Sequence, residues 1–297
     1  MNLNNCMICP RNCKVNRNKN ELGFCKSGNK IKIARYSLHY WEEPCISGKN
    51  GSGTIFFSGC NLKCIFCQNY DISFNNLGKE ITTERFAEIC LELQNKKALN
   101  INLVTPTTYI PLIKKGLLLA KEKGLNIPVV YNTSGYEKVE SLKELDGLID
   151  IYLPDFKYYD NNLADKFSKV NDYFEVASNA LKEMYRQVGK PVIKKNKMIS
   201  GIIARHLLLP THIDDSKKVI KYLYDNYKDN IYISIMNQYT PVKRIEKYKE
   251  LNNTVSEKEY DELINYAIDI GIKNAFIQEG ETCKESFIPD FSNYNSI

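Results

Sequence analysis

Short runs of apolar, often β-branched residues recur from residue 53 onward, separated by segments whose apolar positions repeat with the period of a helix. We interpret six of these runs as strands, and a weaker seventh lies further along the chain. The seven runs are GTIFFSG, NINLVTP, IPVVYN, LIDIYLPD, GIIARHLLLP, NIYISIMN and NAFIQEG. Most are apolar almost throughout, which is typical of strands covered on both faces.

Two of the intervening segments predict helices with a defined buried side. One spans about residues 82–97, where apolar residues recur at helical spacing, and this makes Cys90 a core residue. The other begins after Ser256, whose hydroxyl can cap the backbone amide of Glu259 while the Glu259 carboxylate reaches back. Its predicted buried stripe is Tyr260, Leu263, Ile264, Ala267 and Ile268.

Alternation of strands and helices requires parallel strands joined by crossover helices. Six or seven such units predict an α/β fold, a partial (β/α)6-type TIM-like barrel rather than a complete eight-fold one. We assign this barrel to residues 53–297. Residues 1–52 are rich in Cys, Gly and polar residues, and we interpret them as a Cys-rich, metal-binding N-terminal extension.

The composition is that of an ordinary globular protein. Of 297 residues, 43% are hydrophobic and 26% charged, and the net charge of +6 comes from Lys and Arg scattered among acids, which does not indicate a nucleic-acid binder. The amino terminus lacks a signal-peptide pattern and no apolar run is long enough for a membrane span, so we expect a cytoplasmic protein. In that reducing compartment, clustered cysteines indicate metal binding rather than disulfides.

Three cysteines in the segment SGCNLKCIFCQN form the first cluster. Cys60, Cys64 and Cys67 have the spacing Cys-x3-Cys-x2-Cys and follow the first predicted strand of the barrel, at the end where reactive groups collect. A closed metal site normally takes four ligands, so three thiolates favour an iron–sulfur cluster with one iron left open. The alternative is a structural zinc site completed by a remote residue such as Cys45 or His39.

The segment CNLKCIFC resembles the signature of the radical S-adenosylmethionine (radical SAM) enzymes, with Phe66 as the aromatic residue before the third cysteine. The resemblance covers nearly the whole chain. It extends to WEEPCISG, LVTPTTYIP, YNTSGYE, IDIYLPDFKYYD, MYRQVG, RHLLLP and IYISIMNQYTP, which are similar to a branch related to the pyruvate formate-lyase activating enzymes.

This resemblance implies a [4Fe–4S] cluster on the three cysteines, with S-adenosylmethionine chelating the open iron. Reductive cleavage would release a 5′-deoxyadenosyl radical that abstracts a hydrogen atom from a substrate. A protein or peptide is the expected substrate, with installation of a glycyl radical in a partner as one form of the reaction. A flavodoxin- or ferredoxin-like protein is the expected electron donor.

The same resemblance carries cofactor contacts onto the ends of the predicted strands. The usual Gly-Gly-Glu-Pro is replaced here by Val-Thr-Pro-Thr-Thr, so threonine hydroxyls stand in for the carboxylate that grips the amino group. In YNTSG an Asn replaces the family's Asp. The expected cofactor-binding residues are Phe66, Thr105, Thr107, Asn132, Ser134, Asp155, Lys157, Arg205 and Asn237.

Four further cysteines lie in the extension, with the spacing Cys6-x2-Cys9-x3-Cys13-x11-Cys25. Four thiolates make a full ligand set, and zinc and an auxiliary iron–sulfur cluster are both compatible with it. An auxiliary cluster would relay electrons or hold a substrate, whereas zinc would only stabilise a small segment that has little core of its own.

Several other residues carry weaker signals. Cys45 is a candidate substitute ligand or substrate-facing thiol, and we interpret Cys283 as a free thiol without a special role. We interpret His206 first as a core residue, and the pattern leaves Arg186 and Gln187 open between a surface and a substrate-facing role.

Two other functions remain open from the sequence. The cofactor chemistry could act on a small molecule or an RNA base instead of a protein. A third hypothesis is a non-enzymatic zinc or electron-transfer protein, which predicts no cofactor cleavage.

Overall fold

A computed structural model of the chain describes residues 2–242, 245–278, 291 and 297. Its framework is one ten-stranded sheet. The strands are β1 (Ile31–His39), β2 (Ser52–Phe57), β3 (Lys79–Ile81), β4 (Ile101–Val104), β5 (Val129–Thr133), β6 (Ile151–Pro154), β7 (Val192–Lys194), β8 (Lys197–Leu207), β9 (Tyr232–Met236) and β10 (Ala275–Ile277).

The sheet runs in the order β10, β9, β8, β6, β5, β4, β2, β1, β3, and β7 pairs with β8. The seven strands from β2 to β10 along this path pair in parallel. They correspond to the seven runs identified in the sequence, and the predicted partial barrel is confirmed. Sequence reasoning missed β1 and β3, which add antiparallel strands beyond β2, and the antiparallel hairpin of β7 and β8.

Nine helices are present among the described residues. They are α1 (Pro44–Ser47), α2 (Tyr70–Ser73), α3 (Thr83–Asn95), α4 (Ile110–Glu122), α5 (Val139–Lys143), α6 (Asn161–Ser168), α7 (Tyr173–Val188), α8 (Ile213–Tyr227) and α9 (Glu257–Asp269). The longer helices pack their apolar sides against alternate residues of the parallel strands, such as Tyr131 and Ile202, and together these form the main core.

The two helix predictions agree with the structure except at one residue. Cys90 is fully buried in α3. Helix α9 begins with the predicted reciprocal bonds between Ser256 and Glu259. The prediction that Ile268 belongs to the buried stripe is wrong, because its side chain is 63% exposed. Apolar residues at i, i+3, i+4, i+7 and i+8 span a wider arc than the one face of α9 that meets the core.

The other face of the strands encloses the segment that connects β1 to β2. Cys45 and Ile46 of the short helix α1 form a second apolar cluster with Val130, Leu153 and Ile203, which alternate with the residues that face the helices. The Asn100 side chain donates a 2.8 Å hydrogen bond to the Ile46 carbonyl and so fixes the segment. Part of the N-terminal extension therefore lies on the concave side of the barrel.

Candidate functional site

The loop that leaves β2 carries the three-cysteine motif into the interior. Cys60 and Cys64 are buried and Cys67 is half-buried. Lys63 adopts a left-handed conformation (φ 57°), which turns the chain back between the first two cysteines. The loop is held against α6 by a 2.8 Å backbone hydrogen bond from Ile65 to Phe167.

Each of the three sulfur atoms accepts a hydrogen bond. The Leu62 amide donates to Cys60 Sγ at 3.4 Å. The Ser168 hydroxyl donates to Cys64 Sγ at 2.9 Å, and the Ser73 hydroxyl donates to Cys67 Sγ at 3.4 Å. Such bonds stabilise thiolates that ligate iron. Neither serine was identified from the sequence.

Burial raises the pKa of the Cys64 thiol to about 12, although the nearby Lys157 ammonium opposes this shift. The pKa of Cys60 is also raised, mainly by burial. Thiols in this environment become thiolates only when a positive charge such as a metal centre binds them. The donor set therefore fits a metal cluster better than it fits free nucleophilic thiols.

These three cysteines lie at one side of a cavity of about 420 Å³ in the barrel. Its volume is within the range of small-molecule sites. Seven of the nine cofactor-binding residues expected from the sequence line this cavity: Phe66, Thr105, Asn132, Ser134, Asp155, Lys157 and Arg205. The structure brings these seven together although they come from five separate parts of the chain.

Thr107 and Asn237 are not among the residues that line the cavity. Thr107 is buried and donates a 2.5 Å hydrogen bond to the Glu137 carboxylate, while the Asn237 amide donates to the Gln278 side chain. Thr105 does face the cavity, with a left-handed backbone (φ 60°) that is rare for a β-branched residue. Strain of this kind concentrates at ligand sites.

Asp155 and Lys157 form an ion pair at the end of β6, with 2.5 Å between Oδ2 and Nζ. Burial alone would lower the pKa of Lys157, but the Asp155 carboxylate and the Cys64 sulfur raise it well above its ordinary value. Lys157 is therefore a permanent cation between a carboxylate and the cysteine loop.

A second charged group lines the cavity, and its two acids, Glu42 and Glu43, were missed by sequence reasoning. Arg205 of β8 donates through Nε to Glu43 at 2.9 Å, and it also pairs with Glu42. Burial would raise the pKa of Glu43, but the Arg205 guanidinium lowers it below its ordinary value. The sequence did contain a sign of this group. Two adjacent acids in WEEPC and an arginine at the end of a predicted strand could have been paired by their opposite charges.

The four N-terminal cysteines surround a separate, smaller cavity, which Arg11, Arg17, Phe24 and Asn61 also line. Cys6, Cys9 and Cys25 are buried and Cys13 is half-buried. Gly23 is needed here, because a Cβ at this position would lie 2.9 Å from Cys13 Sγ. Within the described ranges, no three His, Cys, Asp or Glu side chains are close enough together to hold a single metal ion.

The remaining residues singled out in the sequence have contacts typical of a structural role. His206 is buried, with Nδ1 2.8 Å from the Phe156 carbonyl and Nε2 2.8 Å from the Ser216 hydroxyl. Arg186 forms exposed ion pairs, and Gln187 bonds to the Leu142 carbonyl. Cys45 packs in the concave apolar cluster. Cys283 lies outside the described residues.

Comparison with known proteins identifies the class. Residues 54–223 match the family model of the radical SAM superfamily, a range that contains the cysteine loop and the strands from β4 to β8. The chain is 34% identical over 278 residues to the uncharacterized protein MJ0674 of Methanocaldococcus jannaschii, covering 89% of this chain and 74% of that protein. The chain belongs to the radical SAM superfamily.

Solved structures agree at the level of the fold. SuiB of Streptococcus suis bound to S-adenosylmethionine has a TM-score of 0.51 at 14% identity, covering 74% of this chain and 48% of that one. SuiB bound to the precursor peptide SuiA has a TM-score of 0.50 at 13% identity, covering 74% of this chain and 46% of that one.

Membership of this family makes the chain an enzyme whose cofactors are a [4Fe–4S] cluster and S-adenosylmethionine. The cavity suits them, because it combines three cysteine sulfurs with a cationic and an anionic group at strand ends. No helix in the described part of the chain has the length and apolar character needed to cross a membrane.

Proposed function

We propose that Cys60, Cys64 and Cys67 ligate three irons of the [4Fe–4S] cluster and leave the fourth iron to S-adenosylmethionine. The observation that carries this proposal is the placement of three hydrogen-bonded sulfurs, those of the buried Cys60 and Cys64 and of the half-buried Cys67, on one side of the 420 Å³ cavity. The cluster, when bound, supplies the electron that cleaves S-adenosylmethionine into methionine and the hydrogen-abstracting 5′-deoxyadenosyl radical.

The chain's own residues then bind and orient the sulfonium compound. Lys157 is suited to its carboxylate and Asp155 to ribose hydroxyls, while Thr105 offers oxygens to the amino group. Phe66 is buried at the cavity wall beside Tyr239, with 6.1 Å between ring centroids, and supplies an apolar face for the adenine. Positioning of this kind and exclusion of water are what the radical step asks of the protein.

A protein or peptide is the substrate class that we propose. Trp41 and Ile277 line the cavity and remain 60% and 48% exposed. Exposed apolar side chains at the edge of a polar cavity are typical of surfaces that bind a polypeptide. A small molecule or an RNA base is the alternative target, and the experiment below separates these classes.

We further propose an acidic one-electron carrier, of the flavodoxin or ferredoxin kind, as the reductant. Lys63 lies inside the cysteine loop, and the cations that most affect it are Lys26 and Lys169. Arg11 donates to the Lys169 carbonyl at 2.7 Å and to the Asn61 carbonyl at 2.8 Å, next to Cys60. We call these four residues the basic patch. An anionic partner would be steered to this surface.

The cofactor chemistry is tested by reconstituting the protein without oxygen and reducing it with dithionite in the presence of S-adenosylmethionine. We expect 5′-deoxyadenosine and methionine in equal amounts. Protein with a full iron complement that forms neither product would contradict the proposal.

The substrate class is tested with extracts of cells grown on deuterated amino acids. The extract is divided into macromolecular and small-molecule fractions, and each is incubated with enzyme and S-adenosylmethionine. We expect deuterium in 5′-deoxyadenosine from the macromolecular fraction, with the signal removed by protease and unchanged by ribonuclease. Deuterium transfer from the small-molecule fraction alone would exclude a polypeptide substrate.

A further inference from the structure

We infer that Cys6, Cys9, Cys13 and Cys25 hold a second iron–sulfur cluster, not a zinc ion, and that this cluster passes electrons to the one at Cys60. The inference concerns a site separate from the barrel cavity. Only the statement that electrons pass to the cluster at Cys60 rests on the proposed function.

A buried arginine indicates that this site carries negative charge. Arg17 is 2% exposed, its Nη1 donates to the Thr108 carbonyl at 2.7 Å, and its Nη2 lies 3.6 Å from Cys25 Sγ. It takes part in none of the ion pairs that the described residues form. A buried, unpaired cation is costly, and neutral thiols would not offset it. Four metal-bound thiolates would.

An unpartnered donor favours a cluster over a single ion, because a cluster offers more sulfur acceptors. Arg17 Nε is buried, lines the same cavity as the four thiols and has no hydrogen-bond partner among the described residues. A zinc ion adds no acceptor to its four thiolates, whereas an iron–sulfur cluster adds bridging sulfides that accept hydrogen bonds.

The two thiol sites share a wall. The Cys25 carbonyl oxygen lies 2.8 Å from the position that a Cβ would take at Gly59, the residue before Cys60. Asn61, the residue after Cys60, lines the N-terminal cavity, and its Oδ1 is buried without a partner. The residues on either side of Cys60 therefore contact the N-terminal site directly.

This arrangement defines a route for one electron. A reduced low-potential carrier, the acidic protein proposed above, gives one electron to the N-terminal cluster and is itself oxidised by one electron. The N-terminal cluster then reduces the cluster at Cys60 and returns to its oxidised state. No bond is formed or broken in either step.

The test removes the barrel cluster and asks what remains. The triple variant Cys60→Ala, Cys64→Ala, Cys67→Ala is reconstituted without oxygen and analysed for iron, sulfide and zinc. We expect about four irons and four sulfides per chain, the content of one [4Fe–4S] cluster. We also expect an electron paramagnetic resonance signal on reduction that S-adenosylmethionine does not alter. One zinc and no iron per chain would overturn the inference.

Two further measurements keep the inference testable if the triple variant does not fold. Wild-type protein should hold about eight irons per chain if both sites carry [4Fe–4S] clusters, whereas about four irons and one zinc would overturn the inference. Arg17→Gln should lower the reduction potential of the N-terminal cluster, because the reduced and more negative state loses its cation, and Arg17→Lys should retain part of the wild-type value. A potential unaffected by Arg17→Gln would contradict the role given to this arginine.

The outcome is independent of the radical chemistry. Metal content and the reduced spectrum of the triple variant do not depend on cleavage of S-adenosylmethionine. A failure to form 5′-deoxyadenosine would therefore reject the proposed function and leave this inference standing, and the reverse also holds.

Discussion

The two cysteine sites of this chain differ in how their surroundings are completed. The barrel site has three cysteines beside a cavity of about 420 Å³. The N-terminal site has four cysteines around a much smaller cavity that is enclosed by two arginines, an aromatic ring and Asn61. The site with fewer cysteines has the larger cavity. We therefore expect the barrel site to admit a small molecule beside its metal cluster, and the N-terminal site to hold a metal centre alone.

Each site also contains a buried arginine, and the two are balanced differently. Arg205 beside the barrel cavity has two carboxylate partners supplied by the chain, Glu42 and Glu43. Arg17 beside the N-terminal cysteines has a carbonyl and a sulfur as its partners. The charge of Arg205 is therefore neutralised by carboxylates of the chain, whereas the charge of Arg17 is neutralised only by the metal centre that we infer at the neighbouring cysteines.

The largest expected effect is on the formation of 5′-deoxyadenosine, which should depend on the barrel cysteines much more than on the N-terminal cysteines. Cys64→Ser should reduce 5′-deoxyadenosine formation by more than about a hundredfold, because loss of a direct ligand costs more than loss of an outer hydrogen-bond partner. Cys13→Ser should leave most of the dithionite-driven product, since a small reductant can reach the barrel cluster directly.

Product formation is followed by chromatography under saturating S-adenosylmethionine. Cys45→Ala is the matched control, because this cysteine is buried but belongs to the concave apolar cluster. Equal losses in Cys64→Ser and Cys13→Ser would remove the distinction between the sites.

The next effect concerns stability. Arg205→Gln should destabilise the fold by about 3–5 kcal/mol, because it leaves two carboxylates buried without their cation. Urea unfolding measures the loss. Arg186→Gln is the control, since this arginine also pairs with two acids but its side chain is 54% exposed against 11% for Arg205. If the control lost as much stability as Arg205→Gln, burial would not be the cause.

A smaller effect should appear on acidification. Burial lowers the pKa of His206 from 6.5 to about 4, so the folded chain keeps this residue neutral while the unfolded chain protonates it below pH 6.5. Stability should therefore fall as the pH decreases from 6.5 towards 4, by at most about 3 kcal/mol from this residue.

His206→Asn should flatten that part of the stability curve, measured by urea unfolding at a series of pH values. A pH slope identical in wild type and His206→Asn would reject the assignment.

The smallest effect concerns the basic patch. Lys26→Glu together with Lys169→Glu should slow reduction by an acidic carrier by about tenfold at low ionic strength, and the difference should shrink in salt. Reduction by dithionite should change little. The double replacement Lys115→Glu, Lys123→Glu on and beside α4 is the control for net charge. Equal slowing in this control would show that overall charge and not the patch governs the reaction.

Local patterns predicted the strands and the cysteine loop because the information lies within short segments. The apolar runs from residue 53 onward contain all seven parallel strands, and CNLKCIFC contains three cysteines in eight residues. The antiparallel strand β1 was missed because its alternating pattern lies in the Cys-rich extension, which we had interpreted only as a metal-binding segment.

Contacts between distant positions could not be predicted. Ser168 lies 104 residues from the Cys64 sulfur that it contacts, and Glu43 lies 162 residues from Arg205. The residues around Ser168, at the end of a helix, do not indicate which side chain it contacts. The same is true of the pair of acids before Pro44. Such pairings depend on how the strands are arranged in space, which one sequence does not specify.

The position of α1 has a consequence for how this enzyme can be dissected. A fragment beginning at residue 53 would retain every parallel strand, yet it would expose Val130, Leu153 and Ile203 to water and strip Arg205 of both its counter-charges. The segment that carries the parallel strands is thus not a self-sufficient unit to which the N-terminal extension was added. Residues of the N-terminal extension, among them Glu42, Glu43 and Cys45, cover its inner surface.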